Sequence, residues 1–202
     1  MTYSNIHYRN AKTADIAQLL KLEQQHLNDE LSQAGSMAAN MMQGQALTKV
    51  QLTKLIDEHV IAIAELRGEI IGYVIAADWS FYTANEKQTK RSQSSIYQYI
   101  SAKLPELSLD GRALTTNNSC QYGPIWVAPS VRGAGVFQKL VEYLCLQLTA
   151  NYDYLVAYIA EDNERSFAAH TNKANMQVID FISYQQSDYY LLARATNTEG
   201  EK

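Results

Sequence analysis

No apolar run in this chain approaches the roughly 18 residues that a membrane-crossing helix needs, so no membrane span is expected. The first ten residues, Met1–Asn10, lack the basic-then-apolar pattern of a secretory signal, and a cytoplasmic location is the expectation. Cysteine is scarce. Cys120 and Cys145 are the only two, too few for a disulfide framework. Both fall in apolar segments and read as buried thiols of a reducing compartment. The Cys/His spacing of a structural zinc site is missing, so no metal is expected. Positive charge is nowhere concentrated: the longest basic cluster, Lys87–Arg91, reads as a solvated loop and not as a nucleic-acid surface. The net charge of -4 tolerates a cationic ligand but is too ordinary to select one.

What is present suits one globular domain. The chain has 202 residues, 47% of them apolar, enough for a substantial core. It carries 14 tyrosines, which pair an apolar ring with a polar tip and are suited to lining pockets.

Ile6–Arg9 reads as a first strand. Thr13 stands where a helix cap belongs, with Asp15 in the first turn. Ile16, Leu19, Leu20 and Leu27 then predict a helix over Ala14 to Leu27. Ser36 could cap a short turn, Met37–Met42, and Thr48 a helix bearing Val50, Leu52, Leu55 and Ile56. Val60–Leu66 and Ile70–Ala77 predict a hairpin around Gly68. Residues 83–119 read as an insertion: an exposed loop over 83–95, a helix from Ile96 that stops near Pro105, then another exposed loop over 106–119. Cys120–Val127 is the next strand. It leads through Ala128–Gly135 into an amphipathic helix with Val136, Phe137, Leu140, Val141, Leu144, Cys145 and Leu148 on one face. Strand Tyr154–Ile159 follows, then a helix capped at Asp162 or Asn163 and running to about Lys173. Val178–Tyr184 and Asp188–Arg194 form a closing strand pair. One domain over 1–195 with a polar tail, 196–202, is expected. The order lacks the strict βαβ alternation of a doubly wound sheet and predicts a mixed α/β fold.

The Arg132–Phe137 loop carries the chemistry. A helix start offers backbone N–H groups without intrahelical partners and a partial positive charge. Gly133 and Gly135 keep side chains away from those amides, and Arg132 adds a permanent charge. Such a loop can hold a pyrophosphate. A P-loop lysine is absent. A dinucleotide fingerprint would need glycine where Gln138 stands. A plain strand-to-helix turn remains the bland alternative.

The stretch Trp126–Leu140 resembles the acyl-CoA-binding motif of the GNAT acetyltransferases. There a strand ends in Val-x-Pro, and Arg/Gln-x-x-Gly-x-Gly/Ala opens a long helix. Phe137 stands where that pattern prefers Gly or Ala. Asn163, Ser166 and His170 are similar to a second motif, in which His170 occupies the usual tyrosine position. Tyr8–Leu20 resembles the first strand and helix of the same proteins. The resemblance implies a central, mostly antiparallel sheet of about seven strands flanked by helices. It also implies acetyl-CoA as acyl donor, held by Val127, Arg132, Gly133, Ala134, Gly135, Val136, Phe137, Gln138 and Asn163.

The implied reaction is direct attack of a primary amine, from a small molecule or a peptide, on the thioester. A backbone N–H near Val127 would polarise its oxygen. His170 is the candidate donor to the departing thiolate, and Tyr158 a candidate on the substrate side. Glu65 and Asp78 are candidate bases. Trp79, Phe81 and Tyr82 wall either the acceptor site or the core. Two other functions stay open: an acyl-CoA-binding sensor or partner module without turnover, and transfer of a longer acyl group. A homodimer would be the commonest oligomer.

Overall fold

The computed structural model describes residues 5–33, 47–84 and 95–197. Strand β1 (His7–Asn10) leads through a 3-10 turn, Thr13–Asp15, into helix α1 (Ile16–Gln33). Thr13 is not the cap. The Asp15 carboxylate instead accepts from the Lys12 N–H and from Arg9 Nη1, each at 2.7 Å, and so closes the helix start from inside the first turn. Helix α2 (Lys49–Glu58) begins as expected at Thr48. The Thr48 hydroxyl accepts from the Gln51 N–H at 3.2 Å, and the Gln51 side chain accepts from the Thr48 N–H at 2.9 Å. This is a reciprocal capping box. The Ser36 cap and the Met37–Met42 turn lie outside the described residues.

The hairpin is present as β2 (Val60–Leu66) and β3 (Glu69–Ala77). Its two linking residues, Arg67 and Gly68, have φ of 55° and 85°, as a two-residue type I′ turn requires. Two loop expectations are corrected here. Residues expected to begin a loop at 83 belong to helix α3 (Trp79–Ala84). Asp78 starts that helix by accepting from the Phe81 N–H at 2.9 Å and the Ser80 hydroxyl at 2.5 Å. After helix α4 (Ile96–Lys103), the stretch expected to be exposed forms a small hairpin, β4 (Ser108–Leu109) with β5 (Arg112–Ala113). Its leucines Leu107, Leu109 and Leu114 are buried beside Ile96, Ile100 and Leu104. Alternating leucines in a polar segment gave one apolar face, and that face needed cover.

The remaining elements are β6 (Ser119–Val127), α5 (Val136–Leu148), β7 (Tyr154–Ala160), α6 (Glu164–Lys173), β8 (Gln177–Tyr184) and β9 (Ser187–Ala195). Seven strands share one sheet in the order β1-β2-β3-β6-β7-β9-β8. Every pairing in it is antiparallel except β6 with β7. The mixed, mostly antiparallel seven-stranded sheet is the one expected. Among the described residues no helix is long and apolar enough to cross a membrane.

Helix α5 lies on one face of the sheet. It buries Val136, Leu140, Val141, Leu144, Cys145 and Leu148 against small residues such as Ala62, Ala64 and Ala76. Each large side chain so buried contributes about 1.5–3 kcal/mol. The approach is close at Gly72 in β3: an added Cβ would lie 3.0 Å from Leu140 Cδ1 and 3.1 Å from the Trp126 carbonyl oxygen. On the other face α1 and α2 cover Ile61, Ile63, Tyr73 and Ile75, while the segment from α4 to β5 packs over β7 and β9.

Candidate functional site

Strands β6 and β7 pair only through Ser119–Tyr154, Cys120–Leu155 and Gln121–Val156. Beyond Gln121 and Val156 they part and leave a fork. The Ala128 N–H donates to Ile71 of the neighbouring β3 at 2.9 Å. Antiparallel alternation therefore turns the N–H of Val127 the other way, into the fork. The Val127 carbonyl accepts from Arg132 Nε at 3.0 Å, which tethers the exposed guanidinium at the rim.

The chain then enters α5 through Gly133 and Gly135, with φ of 82° and 80°. An added Cβ at either glycine would meet no protein atom within 4 Å. What demands glycine here is the left-handed backbone, not protein crowding. Lys139 donates the first helical bond, to Gly135 at 3.1 Å, and no side chain caps the helix. The N–H groups of Gly135, Val136, Phe137 and Gln138 precede it and have no intrahelical acceptor. The Ala134 N–H donates to Val131 at 3.2 Å. An uncapped helix start beside an arginine, at the mouth of an opened sheet, has the donors and charge to receive a phosphate group, with an open slot beside it.

No family profile matches the sequence, and no curated protein does. Solved structures do. A GNAT-family acetyltransferase from Streptococcus agalactiae matches with a TM-score of 0.64 at 12% identity, covering 95% of this chain and 96% of that one. A GNAT superfamily phosphinothricin acetyltransferase from Sinorhizobium meliloti, in complex with acetyl-CoA, matches with a TM-score of 0.59 at 16% identity, covering 96% and 89%. A GNAT-family acetyltransferase from Streptococcus pneumoniae matches with a TM-score of 0.59 at 14% identity, covering 95% and 99%. The fold is that of the GNAT acetyltransferases.

Within this GNAT fold, Val127 and the Arg132–Gln138 loop come together at the fork. Asn163 opens a different helix, α6, where its Oδ1 accepts from the Ser166 N–H at 3.1 Å; its Nδ2 is the atom left for a ligand. His170 and Tyr158 lie on opposite faces of the sheet. His170, 4% exposed, stands edge-on to Tyr122 and to Phe137, with centroids 5.4 and 5.1 Å away. Its Nδ1 is 2.7 Å from the Ser166 carbonyl, so that nitrogen carries the proton. Burial lowers its pKa, and the Ser166 bond only partly opposes this. At neutral pH His170 is an uncharged imidazole whose Nε2 can accept a proton but has none to donate. Tyr158 shares a hydrogen bond of 3.2 Å with the Tyr97 hydroxyl. Burial, then Tyr97, raise its pKa well above the usual phenol value. It stays a neutral phenol.

The two candidate bases are engaged in structure. Glu65 accepts from Arg9 at 2.6 and 2.9 Å, and Asp78 caps α3. Trp79 and Phe81 belong to the core, and Trp79 Nε1 donates to Ser119 Oγ at 3.2 Å. Tyr82 does more: its hydroxyl donates to the Gly123 carbonyl at 3.0 Å, at the apex of the fork.

Sequence reasoning missed Glu23. This carboxylate on α1 is 6% exposed and accepts a hydrogen bond from the Tyr73 hydroxyl. A signal was available. Glu23 falls four residues after Leu19 and four before Leu27, on the apolar stripe of the helix, where a charge needs a reason.

Proposed function

We propose that this protein is an N-acetyltransferase that moves an acetyl group from acetyl-CoA to a primary amine of a small molecule or peptide. The observation that carries the reading is the fork between β6 and β7, opening toward the uncapped start of α5. The Gly135–Gln138 amides and Arg132 would hold the pyrophosphate. The Val127 N–H, aimed into the fork, would bond the chain that follows it. Acetyl-CoA supplies an activated acyl group as its thioester.

This chain's residues set the rest. The amine reaches the thioester carbon from the face bearing Tyr82 and Tyr158; the new C–N bond forms, the C–S bond breaks, and the amine proton is lost. A free alkylammonium has a pKa of about 10.4, so removing that proton is part of the work. His170 Nε2 lies on the opposite face and in its neutral state is an acceptor. The proton that the thiolate takes up therefore comes from solvent or from the amine, not from His170 as it stands.

That same observation favours a second reading, an acyl-CoA-binding module without turnover, because the usual tyrosine donor position holds a neutral histidine. Calorimetric titration with acetyl-CoA, with NADH as a control, followed by mass spectrometry of an amine panel, separates the two. Saturable acetyl-CoA binding with acetylated product supports the transferase. Binding without any product leaves the module, and no binding overturns both.

A further inference from the structure

Four side chains converge on the face of the sheet away from α5. Glu23 accepts from the Tyr73 hydroxyl. His26, nearly one turn further along α1, places Nδ1 3.2 Å from the same hydroxyl. The Tyr73 ring stacks on Trp126 with centroids 6.1 Å apart and planes at 23°. Trp126 is 6% exposed, and its indole N–H is buried with no acceptor among the described residues. A buried donor without a partner costs about 1–3 kcal/mol and calls for a group that arrives from outside.

The cluster reaches the fork. Trp126 is the residue before Val127 and the cross-strand partner of Tyr73. Tyr82, bonded to Gly123 at the apex, has its pKa raised by burial first and then by neighbouring groups, Glu23 among them. Glu23 is thus joined through Tyr73 and its cross-strand partner Trp126 to Val127 at the fork.

We propose that Glu23, held by Tyr73, recognises the ammonium of the acceptor, and that the acceptor is a cationic primary amine on an apolar body with no carboxylate beside the amine. This rests on the acetyltransferase reading. A carboxylate in poorly solvated surroundings attracts an ammonium more strongly than it does in water. The buried, mutually stacked rings of Tyr73 and Trp126 keep the surroundings of that carboxylate apolar. The indole N–H is a neutral donor for an uncharged oxygen of that body. A carboxylate next to the amine would be brought against Glu23, and like charges so placed discriminate against a ligand.

Tyramine, tyrosinamide and tyrosine share one body and differ in the charge beside the amine. With acetyl-CoA saturating, kcat/KM for tyramine and tyrosinamide should exceed that for tyrosine by about tenfold or more, equivalent to about 1.4 kcal/mol. Glu23→Gln should raise KM for the two favoured amines and bring the three substrates within about threefold of one another, with acetyl-CoA affinity unchanged. Tyr73→Phe should shift the ratios the same way, and it decides the matter if Glu23→Gln does not fold. Equal or better use of tyrosine overturns the assignment, as do ratios that persist in the variants. So does a protein that acetylates other primary amines but none of these three, whereas acetyl-CoA binding with no product from any amine overturns the underlying transferase reading. Failure to bind acetyl-CoA at all overturns the underlying transferase reading instead.

Discussion

Phe137 and His170 meet edge-to-face, with centroids 5.1 Å apart and planes at 81°. These are two of the positions at which the chain departs from the GNAT motifs it resembles; the Gly-aromatic ending, replaced by Asn175-Met176, is another. The larger residue at the start of α5 thus rests on the ring that replaces tyrosine in α6, and the two departures form one contact. Aromatic pairs of this kind contribute about 0.5–1.5 kcal/mol beyond area burial. A double-mutant cycle with Phe137→Ala and His170→Ala, read by urea unfolding, should return a coupling energy in that range. Additive losses would mean that the rings stabilise the helices separately. Because His170 has no proton to donate at neutral pH, His170→Ala should leave turnover within about threefold of the parent; a large loss of turnover at unchanged acetyl-CoA affinity would return it to the reaction.

Gly135→Val should abolish saturable acetyl-CoA binding while leaving a cooperative fold. The φ of 80° lies in the left-handed region, where a β-branched residue costs about 1–3 kcal/mol. The chain relieves that strain by rearranging the loop that presents the amides. Retained affinity, measured by calorimetry, would show that the loop only turns a strand into a helix.

Gly72→Ala tests the close seat of α5. The new methyl would press on Leu140 Cδ1 and on the Trp126 carbonyl. The side chain can swing; the backbone oxygen cannot without moving β6. A loss of about 1–3 kcal/mol in unfolding free energy is expected, with weaker acetyl-CoA binding because Val127 follows Trp126.

Stability should fall on mild acidification. Burial lowers the pKa of His170, and burial likewise lowers that of His59, against the charges of Asp78 and Glu58. In the unfolded chain a histidine titrates near about 6.5. Between the folded and unfolded values the unfolded state binds more protons, so stability rises with pH through that window. The contribution is complete above about 6.5 and is lost as the pH falls below it. Chemical denaturation at a series of pH values from 7.5 to 5, approximate limits chosen around that value, should show this slope. Replacing His170 by alanine should flatten it.

Much of this architecture is legible in the residues. The runs of β2, β3 and β6 and the stripe of α5 can be read because each has a continuously buried face, so period and burial coincide. Thr48, and the pair Asp162 and Asn163 between which the sequence does not choose, announce their helices because short polar side chains favour the cap. The segment after Lys103 misleads, since leucines spaced among polar residues look solvated until β7 and β9 are there to cover them. The proposed cofactor end is local in sequence and therefore readable. The proposed acceptor end is not: Glu23, Tyr73, Trp126 and Tyr82 are brought together from four elements, and only the pairing of β3 with β6 makes them neighbours.

Tyr97 comes from α4 and reaches Tyr82 in a 4.5 Å stack and Tyr158 through its hydroxyl. The segment from α4 to β5 rests on β7 and β9, whereas the glycine loop is built on β6 and α5. The molecule is in this sense modular. One part is the proposed socket for the donor, and the other is a packed panel beside the proposed acceptor side. Substitutions at Tyr97, which touches both Tyr82 and Tyr158, should therefore alter the proposed acceptor side and leave acetyl-CoA affinity as it is.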